Sequence, residues 1–269
     1  VDVDKMDFVQ GSLTGSLSGT HLRPLVGVPG KALGTVDIKG KLDGFEVNRI
    51  GDYLPLQASP HLRDWLVGAL EGGTAHDVAL TLRGELSQFP FRATSAAERA
   101  RGEFRVAGRI ADGKLNYSPA NRAPDGVAPL WPQAERINGS FVFDRVRMEI
   151  KADSAATLGV ALSNVKAVVA DLGATDKLLE IDGAAAGPLQ EFLRYVPASP
   201  VAGWIGHFLD DTRATGNAKL ALKLQLPLSH LPDTRVQGSL QLLNNEVVLF
   251  NDMPAVQAAT GKVEFWERG

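Results

Sequence analysis

Apolar and polar residues alternate along most of the chain, the pattern of strands that bury one face. The clearest run covers residues 219–228, where Leu220, Leu222 and Leu224 share one face with the leucines that follow them. Lysine, alanine and glutamine occupy the opposite face of this run. Counted over the whole chain, the alternation predicts roughly a dozen strands. The other in-phase apolar positions are Val78, Leu80, Leu82, Phe104, Val106, Phe141, Phe143, Met148, Ile150, Val160 and Leu162.

Short turn signals are expected to separate the strands. The four dipeptides concerned are Asp43-Gly44, Asp112-Gly113, Asn138-Gly139 and Asn244-Asn245. Such dipeptides favour tight hairpin turns. Because parallel strands need long crossover connections, tight turns indicate antiparallel neighbours. The sequence therefore predicts a mainly β protein with an antiparallel sheet.

Three segments depart from the two-residue period and place apolar residues at helical spacing. Proline marks the start of each segment, and serine precedes that proline in the first and third, as is common where helices begin. Each apolar stripe is expected to face the core, with Trp65 and Trp204 as structural anchors. The predicted helices lie near residues 60–70, 188–196 and 200–210.

The order of these elements repeats along the chain. Tyr53 and Tyr195, which are 142 residues apart, each precede a helix signal and then a similar strand. Further along, the offset shrinks to 122 residues between Phe143 and Phe265. Self-similarity over this length predicts two tandem copies of one mostly β unit. We expect the first copy at residues 1–143 and a second, truncated copy at residues 144–269.

Composition and charge exclude several classes of function. The 269 residues include no cysteine, which excludes disulfides, thiolate metal sites and cysteine nucleophiles. The net charge is −3, so the basic excess that drives nucleic-acid binding is missing. The histidines are scattered, and no nucleophile elbow or phosphate-binding loop occurs. We expect no enzymatic activity, no metal, no cofactor and no nucleic-acid partner.

The width of the predicted sheet creates a packing problem. A dozen strands about 4.8 Å apart form a sheet roughly 55 Å wide, whereas one helix covers about 10–12 Å. Two or three helices therefore leave much of the apolar face uncovered. The sheet can close into a sandwich with a filled core, or curl into an open apolar trough whose interior meets something apolar. The repeat favours the elongated trough.

Six motifs, from Gly-Asp-Tyr-Leu-Pro at 51–55 to Leu243-Asn244-Asn245, occur in order along the chain, and none of them is catalytic. Together they resemble the YhdP family of AsmA-like proteins. The resemblance implies an internal segment of a long Gram-negative envelope protein, with a repeating β-groove body in the periplasm. It also implies an inner-membrane helix that precedes this segment, and further chain at both of its ends. The implied role is phospholipid transport between the inner and outer membranes, which maintains the outer-membrane barrier. The motifs are Gly-Asp-Tyr-Leu-Pro at 51–55, Gly-Glu-Leu-Ser-Gln-Phe-Pro-Phe at 84–91, Asp112-Gly113-Lys114, Leu130-Trp131-Pro132, Gly187-Pro188-Leu189 and Leu243-Asn244-Asn245.

Under this hypothesis, phospholipid acyl chains lie on aliphatic side chains of the strands. The basic cluster that contains Arg101, Arg105 and Arg109 is expected to be a solvated strand edge. The alternative is that these arginines contact lipid phosphate at the rim of the groove. A second hypothesis also stays open, a structural or assembly scaffold of the cell envelope with a closed core. The expected lining residues are Val78, Leu80, Leu82, Phe104, Val106, Phe141, Phe143, Leu220, Leu222 and Leu224.

Overall fold

A computed structural model describes residues 1–23, 33–54, 59–93 and 95–267, so that Pro55 of the motif at 51–55 lies outside the described residues. Thirteen strands of the described chain form one curled, unclosed antiparallel sheet, and the helices are few and short. The predicted fold class is confirmed. The strands are β1 (Asp2–Gln10), β2 (Leu13–Leu22), β3 (Thr35–Asp43), β4 (Phe45–Glu46), β5 (Leu70–Glu85), β6 (Gly102–Leu115), β7 (Ala134–Asp144), β8 (Arg147–Thr157), β9 (Val160–Val169), β10 (Leu178–Pro188), β11 (Arg213–Pro227), β12 (Arg235–Val248) and β13 (Val256–Trp266). The helices are α1 (Pro60–Ala69), α2 (Ala96–Arg99), α3 (Leu189–Tyr195) and α4 (Val201–Trp204), with 3-10 turns at Val47–Asp52, Leu86–Gln88 and Leu231–Asp233.

Each long strand pairs with its neighbours in the chain, so the sheet has β1 at one edge and β13 at the other. The short strand β4 lies off this path and pairs with β5. Because every pair is antiparallel, the strand ends fall along two rims. Rim A is the side where β5 begins and β6 ends, and it carries α1, α3 and α4. Rim B is the opposite side and carries α2.

The order of elements in the first half recurs in the second. Three long strands (β1 to β3), a helical segment with α1, and three long strands (β5 to β7) are followed by β8 to β10, by α3 and α4, and by β11 to β13. The second set keeps six long strands, and shorter connections account for its smaller length. Pairing continues from one set to the next, because Asp144 pairs with Arg147 across the hairpin between β7 and β8.

Bulges interrupt the pairing in several strands of the described chain. Asp77, Asp112, Arg136, Asn164 and Asn244 all have positive φ angles within strands. The pairing register shifts at each of these positions. A bulge bends its strand and increases the local twist. The bulges therefore contribute to the curl of the sheet.

Three of the four predicted turns are wrong. Asp43-Gly44 does lie where β3 ends, but Asp112-Gly113, Asn138-Gly139 and Asn244-Asn245 lie within β6, β7 and β12. Aspartate and asparagine tolerate positive φ better than other residues with a side chain. At Asp112 and Asn244, which have positive φ angles, that tolerance serves a bulge as well as a hairpin turn, so the dipeptide alone does not distinguish the two.

The helix predicted near 200–210 is also shorter than expected. The helix α4 ends at Trp204, and Gly206 and His207 then have φ angles of 61° and 60°. Glycine disfavours continuation of a helix, and positive φ ends it. Trp204 is 71% exposed, so the orientation toward a core that was predicted for the stripe at 201–209 is wrong.

An aromatic cluster joins the two helical segments along rim A. The indole Nε1 of Trp65 donates a hydrogen bond to the carbonyl oxygen of Tyr117 at 3.3 Å. The rings of Trp131 and Trp204 meet edge to face with their centroids 5.7 Å apart. Desolvation within this region raises the pKa of Tyr195 to about 12. The connection at 116–133 thus links α1 to the segment that contains α3 and α4.

One buried asparagine satisfies the backbone at the bulge in β12. The side chain of Asn245 is fully buried, and its amide nitrogen donates to the carbonyl oxygens of Thr215 and Asn217 at 2.8 and 3.1 Å. Its side-chain oxygen accepts a hydrogen bond from the backbone nitrogen of Leu243 at 2.6 Å. These bonds hold β11 and β12 together where the ladder is interrupted.

We expect Asn245→Ala to destabilise the protein by roughly 1–3 kcal/mol, because it leaves buried backbone groups without partners. Urea unfolding of the variant and the parent chain measures this difference. The matched control is Asn251→Ala, since Asn251 is exposed and its loss is expected to cost less than about 0.5 kcal/mol. Equal stabilities for the two variants would contradict the role of Asn245.

The raised pKa of Tyr195 makes stability depend on pH in the alkaline range. The folded state keeps the phenol proton above the unfolded pKa near 10, so this stabilisation is present below about pH 10 and is lost as pH rises toward 12. We expect Tyr195→Phe to reduce the slope of unfolding free energy against pH between about pH 10 and 12. Parallel slopes for the variant and the parent chain would show that this phenol titrates normally.

Candidate functional site

One face of the sheet carries an unbroken row of apolar residues and glycine. Residues paired across antiparallel strands point to the same face, so the pairing identifies which side chains lie together. We call the face that carries this row the apolar face. Starting from β1, the paired residues are Met6, Leu17, Gly40, Leu80, Val106, Phe143, Met148, Val169, Leu179 and Leu226.

A second row extends the apolar face to the other edge of the sheet. Gly183 of β10 pairs with Leu222 of β11, which pairs with Gly238 of β12, which pairs with Phe265 of β13. The two rows together cross all twelve long strands. At about 4.8 Å between strands, the apolar face extends roughly 53 Å from β1 to β13.

All ten residues predicted to line a groove lie on the apolar face. Leu82 pairs with Phe104, and Val78 is two residues from Leu80 on the same side of β5. Val78 is buried, whereas the other nine are half-buried. The pairing thus places on one face side chains of β5, β6, β7 and β11 that are up to 146 residues apart in the sequence.

Glycines on the apolar face were not among the predicted site residues. A Cβ atom at Gly108 would lie 2.9 Å from Cζ of Phe141, and one at Gly238 would clash with the ring of Phe265. The aromatic ring therefore lies across the glycine of the neighbouring strand, an arrangement that keeps the surface low and continuous. The signal in the sequence was a glycine in phase with the apolar residues, as in Val106-Ala107-Gly108.

Little of the apolar face is covered by other parts of the described chain. Next to rim A, α3 packs Leu189 against Ala214 and Ala218. Among the described residues the largest fully buried side chains are Val169 and two asparagines, so no leucine or phenylalanine is fully buried. The accessible surface is 16632 Å², whereas a compact monomer of 28.7 kDa exposes about 11,000 Å². A filled sandwich does not have this excess of surface.

The opposite face of the sheet is polar. Lys223 of β11 lies 3.6 Å from Asp182 of β10, and Lys166 of β9 lies 3.6 Å from Glu149 of β8. Hydrogen bonds from Arg147 and then from Lys151 hold the pKa of Glu149 below its usual value. These ion pairs are exposed, and such pairs contribute little to stability. Their arrangement shows which face meets water.

The structure separates the three arginines that were considered for head-group contact. Arg105 lies 3.7 Å from Asp144, and Arg109 lies 3.9 Å from Asp153, both on the polar face. A molecule on the apolar face does not reach them, because the sheet lies between. Arg101 is exposed at rim B, immediately before β6.

The described residues contain neither a cluster of metal ligands nor a membrane-spanning helix. No group of three or more histidine, aspartate or glutamate side chains among them could hold a metal ion. No helix in the described part of the chain is long and apolar enough to cross a membrane. The apolar face can bind apolar groups by removing them from water, and the strength of this binding grows with the area that is covered.

The chain is similar to a protein that is named a phospholipid transporter. The chain is 26% identical over 204 residues to the intermembrane phospholipid transporter YhdP of Escherichia coli (strain K12). The aligned part is 76% of this chain and 15% of that relative, so the chain spans a small fraction of the relative's length. No solved structure matches the chain. The family model described as YhdP protein matches residues 1–269, and the chain therefore belongs to the YhdP family.

Proposed function

We propose that this chain is a segment of a groove that conducts phospholipid between the inner and outer membranes, in the periplasm of a Gram-negative envelope. The observation that carries the proposal is the half-exposed apolar face, which crosses every long strand without a charged residue in its rows. The name of the similar Escherichia coli protein supports phospholipid as the cargo. In this proposal, further strands of a longer chain continue the groove at both edges, and a membrane helix outside this segment anchors it.

The physical basis of the proposal is burial of acyl chains. Each CH₂ group removed from water contributes about 0.8 kcal/mol, so a chain that lies along the apolar face is held firmly. Neighbouring positions on this face are chemically similar, so an acyl chain can move along it without large barriers. Such a mechanism uses no catalytic group.

The head group stays in water at the open side of the groove. Of the three arginines considered above, only Arg101 keeps a role in this proposal, because Arg105 and Arg109 lie on the polar face with acidic partners. Arg101 stands at rim B beside the strand that carries Phe104 and Val106. A lipid phosphate at this rim would meet a cation while its acyl chains contact those two side chains.

The scaffold hypothesis requires a filled interior, and the half-buried lining residues do not favour it. Two experiments distinguish a lipid-binding face from the surface of a scaffold. Both use Leu222 and its neighbour Ala221, which lie on opposite faces of β11 because successive residues of a strand alternate. Leu222 is half-buried and Ala221 is exposed.

We expect a photo-crosslinking amino acid at position 222 to capture phospholipid, because its side chain lies among the acyl chains. The same amino acid at position 221 points into water and serves as the matched control. Mass spectrometry of the irradiated protein, purified from a Gram-negative envelope, measures the lipid adduct at each position. Equal adducts at the two positions, or none at position 222, would contradict lipid conduction along this face.

We further expect Leu222→Asp to reduce bound phospholipid at least about tenfold. A carboxylate against an acyl chain loses hydration that costs more than the ~1.4 kcal/mol of a tenfold change. Lipid that copurifies with each variant is quantified, and circular dichroism checks that the sheet is retained. Ala221→Asp is the control and is expected to keep its lipid. If Leu222→Asp unfolds the chain while Ala221→Asp does not, Leu222 belongs to a closed core instead.

A further inference from the structure

The segment between β5 and β6 folds over the end of the apolar face at rim B. The buried ring of Phe91 covers Gly84 and Gly102, which pair with each other. This pair lies two residues beyond the pair of Leu82 with Phe104, so it belongs to the apolar face. A Cβ atom at Gly84 would lie 2.8 Å from Cε1 of Phe91, and one at Gly102 would clash with the same ring. The apolar face therefore ends at rim B under an aromatic side chain.

A second aromatic ring connects Phe91 to Phe104, one of the residues expected to line the groove. The ring centroid of Phe89 lies 6.0 Å from that of Phe91 and 5.1 Å from that of Phe104. Phe89 is 50% exposed, so the three rings form a continuous apolar surface that a ligand can reach. An acyl chain on the apolar face can extend along this surface to rim B.

A polar pocket lies directly beside these rings. Its volume is about 100 Å³, several times the space that one water molecule needs. Two guanidinium groups, one carboxylate and one amide surround it, and Phe91 borders both the pocket and the apolar face. The pocket thus offers polar contacts at the point where the apolar surface ends. Its lining residues are Gln88, Phe91, Arg92, Glu98, Arg101 and Gly102.

Contacts within the chain orient two of the charged groups at this pocket. Nη1 of Arg92 donates a hydrogen bond to Oδ2 of Asp171 at 2.8 Å, and Asp171 lies in the connection between β9 and β10. This bond uses one of the five N–H donors of the guanidinium. Oε2 of Glu98 accepts a hydrogen bond from the backbone nitrogen of Ser95 at 3.2 Å, in a capping box at the start of α2. Both side chains are therefore oriented without a ligand.

Arg101 differs from the arginines of the polar face. It is exposed, and no carboxylate of the described residues forms an ion pair with it. Arg105 and Arg109, by contrast, lie next to Asp144 and Asp153. The guanidinium of Arg101 is therefore available to an anion in the pocket.

The charges around the pocket sum to zero. The charge of Arg92 is balanced by Asp171, and Arg101 and Glu98 contribute one charge of each sign. A ligand with one negative and one positive group complements this arrangement. A phosphate diester that carries an ammonium group has this pattern of charges. A head group that is only anionic gives Glu98 no cation to pair with and adds a repulsive contact.

We propose that this pocket binds the head group of a zwitterionic phospholipid that bears an amine, with the phosphate on Arg101 and Arg92 and the ammonium on Glu98. The inference rests on the proposed function, because it places the acyl chains of the same lipid on Phe89 and Phe104. Arg92 and Arg101 are exposed, and ionic contacts of exposed groups are weak. The pocket therefore favours one class of lipid without stopping its movement.

Photo-crosslinking at position 88 tests the pocket, because Gln88 is an exposed residue of its lining. The chain is incubated with vesicles that contain equal amounts of phosphatidylethanolamine and phosphatidylglycerol, irradiated, and analysed by mass spectrometry. We expect the ethanolamine lipid to exceed the glycerol lipid at least about threefold among the adducts at position 88. At position 222 on β11, where the apolar face alone holds the lipid, we expect similar amounts of the two.

Two substitutions separate the roles of the two charges. Glu98→Gln keeps the capping box, which accepts glutamine as well as glutamate, but it removes the negative charge. We therefore expect the preference at position 88 to disappear in this variant. Arg101→Gln is expected to reduce the adducts of both lipids at position 88 at least about threefold. The matched control is Arg99→Gln, which is expected to keep the adducts of the parent chain, since Arg99 is exposed at the same rim and does not line the pocket.

Excess inorganic phosphate distinguishes a lipid head group from a free phosphate as the ligand. Because acyl chains contribute most of the affinity of a lipid, we expect inorganic phosphate to leave the adducts at position 88 unchanged. Their loss would assign the pocket to free phosphate instead. Equal adducts of the two lipids at position 88, or a preference that survives Glu98→Gln, would overturn the proposal. If position 222 captures lipid and position 88 captures none, the pocket fails and the groove stands, whereas no lipid at either position contradicts the groove itself.

Discussion

The pairing register is the constraint on which the rest of this structure depends. A shift of one residue in any strand would turn all of its apolar side chains to the other face. Each bulge adds a residue to its strand, so the side chains beyond it would point to the other face. The strands β8 and β9 show how the structure resolves this conflict. Asp153 of β8 is an extra residue relative to β7, and Asn164 of β9 is an extra residue at the same level relative to β10. Between β8 and β9 the register is unchanged, since Ala152 pairs with Val165 and Ala155 with Leu162. The alternation shifts in both strands together, so their apolar residues on either side of the bulge stay on one face.

A sheet with one apolar face and, in the part of the chain that the structure describes, no second sheet packed on it needs other sources of stability. The buried apolar residues of the described chain are mainly alanine and valine, and the cluster of buried residues under α3 is small. Long ladders of backbone hydrogen bonds, glycines covered by neighbouring rings, and a buried asparagine at a bulge supply the rest. Stability then comes chiefly from contacts between adjacent strands, as in repeat proteins whose units contact only their neighbours.

The sequence predicts the strands well, because the two-residue period is a direct consequence of strand geometry. The same period that places Phe104 and Val106 on one face places Arg105 on the other, and it could have excluded Arg105 as a lipid contact from the sequence alone. The bulges could not be found in this way, since Asn244 favours positive φ in a turn and in a bulge alike. The apolar stripe does not predict the length of α4, because Gly203 lies within this helix and Gly206 has a positive φ angle just after it. Which strands pair, and with what register, is long-range information that the local alternation does not contain.

The recurring order of strands and helices has a consequence for how the proposed groove would work. When similar units follow one another, the free energy of an acyl chain on the apolar face changes little from one unit to the next. A nearly constant free energy favours movement along the groove but supplies no direction, because a preferred direction requires a difference between the two ends. This segment would therefore determine that lipid can pass and how strongly it is held, whereas the net direction of transport would be decided where the groove meets each membrane. A deep pocket anywhere along the apolar face would bind lipid more tightly and slow its passage. Aromatic rings that lie flat over neighbouring glycines keep the face shallow and so favour movement of lipid along it.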